Sequence, residues 1–427
     1  MLFARGRALG ACLLLLIGCA LSACAHAVEP FNPDGELTLA RALDAALRGN
    51  PDLHASAFEL NAAQARIVQA QLRPNPEVAL ELENFAGSGE LEGARRLETT
   101  LSLSQVIELG GKRSERRFLA KANIDTVSVE QRAREIDVLA DVTRQFIDVV
   151  AAQERVRIAI EAVALSEQTL DAIATRVAAG RSPEAERSRA RIALTRARVE
   201  QRQAESELRG ARYALSASWG SPEPAFRTAR AELLDLRAVD SFQSLMARLE
   251  QAPALLRFAS ESRLRASELR LARAQARPNL TFSLGARRFE DSDDAVLVAG
   301  VSMPLPLYDR NQGAIGEARS RLQQADALRD AAHVKARASL LRVYQEMEAC
   351  KARVEMLRSE GLPQARLALE QTRSGYERGR FSFLELADAQ AELLALRTAT
   401  VDAAADYHRL RAEIERLTGT SLIEPTP

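Results

Sequence analysis

The chain repeats itself after about 200 residues, and this internal duplication limits the folds that are open to it. The matching positions keep their order and nearly the same spacing in both halves. They are Arg73-Pro74-Asn75 with Arg277-Pro278-Asn279, Gly180 with Gly379, Glu186 with Glu385, and Gly220 with Gly419. Each half is therefore predicted to contain a helix, two short strands, a very long helix, a Gly-Arg turn and a returning helix.

Each half contains a helix that is too long for an ordinary globular domain. Residues 113–177 are a run of 65 without proline or glycine, which predicts a helix roughly 100 Å long. We predict long helices over 113–178 and 314–376, the second interrupted at Gly361 and Pro363. Apolar residues seven apart in the first predict a coiled-coil seam, and they are Val156, Val163, Leu170 and Val177.

Four segments alternate between apolar and polar residues and are predicted to be strands, at about 77–85, 97–106, 280–289 and 294–303. In the first, Val78, Leu80 and Leu82 alternate with glutamates. Strands of this length suit an outer membrane, with one face towards lipid and the other towards water. Two surface hairpins of a soluble sheet are the alternative.

Four strands are too few for a closed membrane barrel, because the smallest such barrels have about eight. Open sheet edges are not tolerated in lipid, so several copies of the chain would have to share one barrel. Two copies would supply eight strands and three would supply twelve. The periodicity alone does not choose between these numbers.

The N-terminus has the features of an export signal. Arg5 and Arg7 precede an apolar run, and Leu21-Ser22-Ala23-Cys24 resembles a lipobox. We therefore predict a signal peptide over 1–24 and lipidation of Cys24. Lipidation at Cys19 and plain cleavage after Ala27 are the alternatives, and all three export the chain.

Composition and motifs argue against nucleic-acid binding and catalysis. Lys and Arg number 58 and so do Asp and Glu, whereas nucleic-acid binders concentrate basic residues. The histidines have no metal-ligating spacing, and no catalytic triad or carboxylate pair stands out. Gly110-Gly111-Lys112-Arg113 lacks the pattern of a phosphate loop and is better explained as a hinge between strand and helix. We expect no enzyme activity, no cofactor and no metal site.

These segments predict a mainly α protein with a small membrane β part. The expected divisions after the signal are a first repeat at 37–220, a connecting equatorial segment at 221–250, a second repeat at 251–420 and a tail at 421–427. Helical columns about 100 Å tall, with strands at one end, suit a tube across the periplasm. A soluble coiled-coil scaffold and a periplasmic adaptor are the alternatives, but the lipoyl-like and β-barrel domains of an adaptor are not recognisable.

From about Leu37 to Leu417 the chain resembles the TolC-type outer membrane factors, above all in the turn motif Tyr376–Leu386. The resemblance implies a homotrimer with a twelve-stranded barrel and a twelve-helix tunnel in the outer membrane. It also implies a periplasmic adaptor and an inner-membrane resistance-nodulation-division pump as partners. The segments Leu101–Arg113 and Pro304–Gly313 are similar to the CzcC-type branch, which implies export of heavy-metal cations such as cobalt, zinc or cadmium. Multidrug efflux and type I secretion are the rivals.

The same resemblance implies where the functional residues lie. Acidic rings close such ducts at the periplasmic end, and the matching positions here are Glu385 and Asp388. Glu186 is the repeat partner of Glu385, whereas Arg189 stands where Asp388 would be, which suggests an Arg189–Asp388 latch. The residues expected to dock the adaptor lie at the turns, and they are Gly180, Arg181, Tyr376, Gly379 and Arg380. The two turn glycines are expected to adopt left-handed backbone.

Overall fold

The computed structural model describes residues 32–89 and 92–419, and the chain in this range is mainly α-helical with two small sheets. The predicted signal peptide over 1–24, the lipidation site Cys24 and the tail over 421–427 lie outside the described residues.

The two halves have the same order of elements. The first half contains β1 Gly35–Leu37, α1 Leu39–Gly49, α2 Pro51–Gln71, β2 Glu77–Glu83, β3 Glu98–Ile107, α3 Lys112–Ala178 and α4 Glu184–Ala217. The connecting segment contains β4 Phe226–Ala229 and α5 Phe242–Leu249. The second half contains α6 Pro253–Gln275, β5 Leu280–Phe289, β6 Ala295–Ser302, α7 Gln312–Met356, α8 Leu362–Glu377 and α9 Phe383–Thr418. Each predicted strand and long helix is present within about two residues of its expected bounds.

The four predicted strands form one antiparallel sheet in the order β2-β3-β5-β6. The two hairpins, one from each half, meet where β3 pairs with β5, with Leu103 opposite Leu284. In the described residues β2 and β6 each pair along one edge only. The sheet of a single chain therefore has two unpaired edges, one at β2 and one at β6.

Helix α3 is the central element, and α2, α4, α6 and α9 all pack against it. Near the turn end its most buried side chains are Ile158, Ala162, Thr169 and Ile173. The predicted seam residues, Val156 among them, are only half-buried, so the buried line runs beside the one that the heptad spacing indicated. No helix in the described part of the chain is long and apolar enough to cross a membrane.

A ladder of five ion pairs joins α3 to α9, which runs antiparallel to it. From the middle of the helical columns towards the Gly-Arg turns, the pairs are Asp137–Arg416, Arg144–Glu413, Asp148–Arg409, Arg155–Asp402 and Glu161–Arg397. The shortest N–O distances that Arg409 and Arg155 make to their partners on the facing helix are 2.6 Å. Because the sign of the charge on α3 alternates from rung to rung, the ladder favours one register of the two helices.

The largest core lies at the middle of the helical columns, where β1 pairs in parallel with β4. Trp219 is fully buried there, with its ring 6.2 Å from that of Phe226. The Gln153 side chain of α3 donates to the Ala229 carbonyl and accepts from the Ala229 N–H, both at 2.8 Å. The connecting segment is thus fastened to the long helix through its backbone.

The interruption predicted in the second long helix is a single π-helical turn at Leu357–Gly361, between α7 and α8. Pro363 follows at the start of α8, and proline cannot donate the backbone bond that a continuous α-helix needs there. The Arg358 guanidinium at this turn donates to the Leu234 carbonyl at 3.2 Å. The helix therefore changes its winding where the connecting segment crosses it.

We expect Trp219→Ala to destabilise the fold by about 3–5 kcal/mol, because it removes a large aromatic side chain from the central core. Chemical unfolding of the detergent-solubilised protein, followed by far-ultraviolet circular dichroism, measures this loss. Tyr213→Ala is the matched control, since Tyr213 lies on α4 and is 50% exposed. Equal effects from the two variants would contradict the assignment of the core.

Candidate functional site

One face of the four-stranded sheet is apolar and exposed. Cross-strand partners on this face share their apolar character, and the most exposed are Val78, Leu80, Leu284, Leu297 and Val301. Leu297 is 84% exposed and Val78 is 71% exposed. A sheet that leaves this much aliphatic surface uncovered on one side is suited to contact with lipid or with other protein.

The opposite face of the sheet is polar and more tightly arranged. Arg287 of β5 binds Glu98 at 2.8 Å and Glu83 at 2.7 Å, and its Nε donates to the Thr100 hydroxyl at 2.9 Å. Glu81 lies in the same cross-strand row as Thr100 and Arg287. β2, β3 and β5 therefore separate a charged surface from an apolar one, as their alternation predicts, whereas β6 also places Val296 and Val298 on the charged side.

The Gly-Arg turns at the far end of the helices close with the same hydrogen bonds. Gly180 (φ 68°) donates to the Val177 carbonyl at 2.9 Å, and the next N–H reaches the Arg176 carbonyl at 2.8 Å. Gly379 (φ 73°) repeats the pattern with the Tyr376 carbonyl at 3.0 Å. These are Schellman caps, which require a left-handed residue at the glycine. The expected backbone of both turn glycines is confirmed.

The repeat partners Glu385 and Glu186 have different tasks. Glu385 closes a capping box with Ser382, accepting from the Ser382 N–H at 2.7 Å and from its hydroxyl at 2.8 Å. The backbone bond, and then the hydroxyl bond, hold the pKa of the Glu385 carboxyl below its usual value. Glu186 has Pro183 at the corresponding cap, which has neither an N–H nor a hydroxyl to offer. Its carboxylate instead accepts from the Tyr376 hydroxyl at 3.3 Å.

Arg176 joins the two turns, and it was not among the residues that the sequence singled out. Its guanidinium donates to the Tyr376 carbonyl at 2.9 Å and to the Ser182 hydroxyl at 3.2 Å. It also lies over the Tyr376 ring, 4.7 Å from the centroid. The internal repeat could have pointed to Arg176, because its matching position in the second half is Gly375. The missing side chain of Gly375 leaves room for the Phe381 ring.

Beside these contacts lies a groove of about 550 Å³ between α3, α8 and α9. Its charged lining is mainly basic and comprises Arg176, Arg181, Arg366, Arg373, Glu370 and Glu377. Leu369 and Leu386 form part of its floor. The turn end thus combines an apolar contact between the two helical hairpins with a surface rich in arginine.

The expected latch between Arg189 and Asp388 is not formed in the single chain. Both side chains are exposed and no ion pair joins them. Asp388 lies one turn after Glu385 on α9, so the two carboxylates share one exposed edge of the helix. Arg181 and Arg380 are also exposed, one beside each turn glycine.

The described residues provide no group of three or more His, Cys, Asp or Glu side chains that could hold a metal ion. Two histidines bond to backbone instead: His54 Nε2 lies 2.7 Å from the Arg48 carbonyl, and His408 Nε2 lies 2.9 Å from the Leu233 carbonyl. Burial lowers the pKa of His408. Both histidines are accounted for by structural contacts.

Comparison of the sequence with known families gives one clear match. The model of the family described as outer membrane efflux protein matches residues 42–221 and 245–420. The cobalt-zinc-cadmium resistance protein CzcC of Cupriavidus metallidurans is 31% identical over 395 residues, which cover 92% of this chain and 92% of that protein. The nickel and cobalt resistance protein CnrC of the same organism is 27% identical over 286 residues, which cover 67% of this chain and 68% of that protein.

Solved structures of the same fold agree with the architecture described above. A crystal structure of CusC has a TM-score of 0.75 at 19% identity and covers 89% of this chain and 91% of its own. VceC of Vibrio cholerae has a TM-score of 0.73 at 18% identity and covers 89% of this chain and 96% of its own. At sequence identities of 18–19%, this structural similarity shows a shared fold.

We expect Arg176→Ala to loosen the turn end, because it removes the guanidinium from the backbone and ring of Tyr376 at once. Limited trypsin cleavage at Arg378 and Arg380 should accelerate roughly tenfold, since cleavage follows the population of the opened form. Tyr376→Phe should accelerate it less, because the ring contact remains. Arg191→Ala on the exposed side of α4 is the control, and an equal effect there would refute the role of Arg176.

The capping box predicts a pH dependence at the start of α9. A carboxyl whose pKa is lowered by folding stabilises above its ordinary pKa, and this contribution is lost as the pH falls through the lowered value. Amide hydrogen exchange at 383–386, corrected for the intrinsic rate, should therefore rise on acidification. Ser382→Ala should raise exchange already at neutral pH. The start of α4, where Glu186 does not cap, is the internal control.

Proposed function

This chain belongs to the outer membrane efflux protein family, and we propose that it is the outer membrane duct of a tripartite system that exports heavy-metal cations. The main observation in support of a duct is the sheet with one apolar and one polar face, which is continuous with helices roughly 100 Å long. A sheet of this kind separates lipid from water, and helices of this length reach far from the membrane.

The open edges of β2 and β6 support an assembly of several copies, and the family to which the chain belongs implies that there are three. Unpaired backbone groups in lipid cost several kcal/mol each, so the edges must be paired with other chains. Three copies close twelve strands, with the charged face of Arg287, Glu83 and Glu98 around the lumen and the apolar face outside. The helices then extend into the periplasm, with the Gly-Arg turns at their far end.

The turn end is the proposed gate and docking surface. Glu385 and Asp388 on α9, with Glu186 and Arg189 on α4, line the mouth in this proposal. Glu385 caps its own helix through Oε2 alone, so its other carboxylate oxygen stays available to cations while the cap is closed. Gly180, Arg181, Tyr376, Gly379 and Arg380 form the tips that meet a periplasmic adaptor, which links the duct to an inner-membrane resistance-nodulation-division pump. Cys24 anchors the mature N-terminus to lipid.

Metal cations are the proposed cargo because of the relatives that match the chain along most of its length. CzcC is a cobalt-zinc-cadmium resistance protein by name, and CnrC is a nickel and cobalt resistance protein. The duct itself needs no metal site for this task, because it conducts what the pump and adaptor select. Its polar strand face and acidic α9 edge favour cations over anions.

The experiment is the growth of a strain that lacks this chain on zinc, cadmium, cobalt, nickel and copper salts, with dyes and antibiotics in parallel. We expect hypersensitivity to cobalt, zinc or cadmium that the intact gene restores. Sensitivity to dyes or antibiotics alone would replace the metal cargo by drugs and leave the duct in place. Full resistance to every compound, in a strain without related ducts, would refute the export function.

A further inference from the structure

One arginine bridges two carboxylates on the polar face of the sheet, which lines the lumen in the proposed duct. Resting on that proposed function, we infer that Arg287 is a specificity-determining residue, because it occupies the position between Glu83 and Glu98 that a divalent cation would otherwise take. The fixed positive charge at this position lets metal cations pass through the lumen without being retained there.

The two carboxylates face each other across neighbouring strands. Glu83 of β2 lies directly opposite Glu98 of β3 in the antiparallel pairing. Side chains at opposed positions have Cβ atoms about 5 Å apart, and like charges there repel each other. Carboxylate oxygens are also ligands that divalent cations such as Ca²⁺, Mg²⁺ and Zn²⁺ accept. The pair therefore needs a counter-ion, and either an arginine or a metal cation satisfies that need.

Arg287 supplies this counter-ion from the next strand, β5, and each nitrogen of its guanidinium has a partner. Nη1 lies 2.8 Å from Glu98 Oε2, and Nη2 lies 2.7 Å from Glu83 Oε2. Nε donates to the hydroxyl of Thr100 at 2.9 Å, and Thr100 is buried. Because the planar fork of arginine is engaged on all sides, the charge is held in one place and does not swing aside for a passing ion.

The Glu83 carboxylate depends on Arg287 more than the Glu98 carboxylate does. Glu83 Oε2 is shielded from solvent and accepts no hydrogen bond from the described residues, although Arg287 Nη2 lies 2.7 Å away. Glu98 has a second partner, since Asn84 Nδ2 donates to its Oε1 at 3.1 Å. Removal of Arg287 leaves a shielded carboxylate oxygen without its counter-charge, and a bound cation would restore that charge.

The polar face as a whole carries more negative than positive charge. Its ionised side chains in β2, β3, β5 and β6 are Glu77, Glu81, Glu83, Glu98 and Arg287. Glu77 and Glu81 form no ion pair with the described residues, so they leave a negative field that attracts cations. Conduction requires attraction without tight binding. Arg287 provides the second condition at the one place where two of these carboxylates are directly opposed.

Arg288, the next residue of β5, offers a matched control. It lies on the apolar face and pairs with Asp293 at 2.6 Å and with Glu290 at 3.8 Å. Its removal also frees two carboxylates, but these belong to the exposed turn between β5 and β6 and are not opposed strand positions. Arg287 and Arg288 thus share their charge and their place along the strand, and they differ in how their carboxylates are arranged.

Equilibrium dialysis of the detergent-solubilised full-length protein against Co²⁺ tests the inference. We expect Arg287→Gln to bind about one additional Co²⁺ per chain, because the opposed carboxylates become free as ligands. Arg287→Lys should bind this ion roughly tenfold more weakly than Arg287→Gln, since the ammonium group keeps the charge but not the fork. Arg287→Gln combined with Glu83→Gln should lose the additional ion, and Arg288→Gln should not gain one. Binding at Glu385 and Asp388 is common to all variants and cancels in the comparison.

Equal Co²⁺ binding by the unchanged protein and Arg287→Gln would overturn the inference, and so would a gain of the same size in Arg288→Gln. Far-ultraviolet circular dichroism establishes which variants fold. If Arg287→Gln does not fold, Arg287→Lys decides the question, since it should still bind more Co²⁺ than the unchanged protein, and equal binding would overturn the inference.

Growth on cobalt salts separates this inference from the proposed function. We expect a strain that carries Arg287→Gln to lose cobalt resistance because its cargo is retained, while a strain that carries Arg288→Gln keeps it. Full resistance with Arg287→Gln would overturn the retention of cargo. A strain that lacks the whole chain and grows normally on every cation would refute the metal cargo, whereas the dialysis experiment still decides the role of Arg287.

Discussion

The structure depends on covering a helix of 67 residues along its whole length. An isolated helix draws little stability from its own backbone, and most of what holds it comes from packing against neighbours. Different partners cover α3 at different heights: α2 and α6 near the sheet, α1 and β4 at the middle, and α4 and α9 towards the turns. For this reason its buried residues do not follow one straight heptad line. The duplicated architecture supplies these partners from both halves of the chain.

Two kinds of contact stabilise α3, the apolar core at its middle and the ion pairs with α9. The central core of Trp219, Phe146 and Leu43 is fully buried and supplies the apolar burial that stabilises the fold. The five ion pairs between α3 and α9 are partly exposed, and pairs of this kind contribute about 0.2–1 kcal/mol each. Their main effect is on register, since sliding α9 along α3 would break the alternation of charge. The core holds the columns together and the ladder aligns them.

Duplication also allowed the two turns to diverge while the backbone stayed the same. Both end in a glycine-centred Schellman cap, yet proline replaces serine at the start of α4. That one difference frees Glu186 from capping and lets it reach Tyr376, while Glu385 remains bound to Ser382. Arg176 of the first half then donates to the Tyr376 carbonyl in the other turn. The second half has Gly375 at the position of Arg176 and so makes no matching contact. The two turns therefore share one backbone conformation but differ in their charged side chains. A binding partner could tell the two hairpins apart by this difference.

The sequence by itself determined the repeat, the four strands, the long helices and the left-handed glycines. Each of these depends on periodicity or on backbone conformation, which neighbouring residues along the chain decide. The capping box of Ser382 and Glu385 also follows from a local pattern, a serine three residues before a glutamate at the start of a helix. Only the tertiary structure decided that Arg176 joins the two turns and that Arg189 and Asp388 do not pair. The buried line on α3 and the ladder to α9 belong to this second group. They depend on which faces of distant helices meet, and residues more than 200 positions apart leave no local pattern that reveals such a contact.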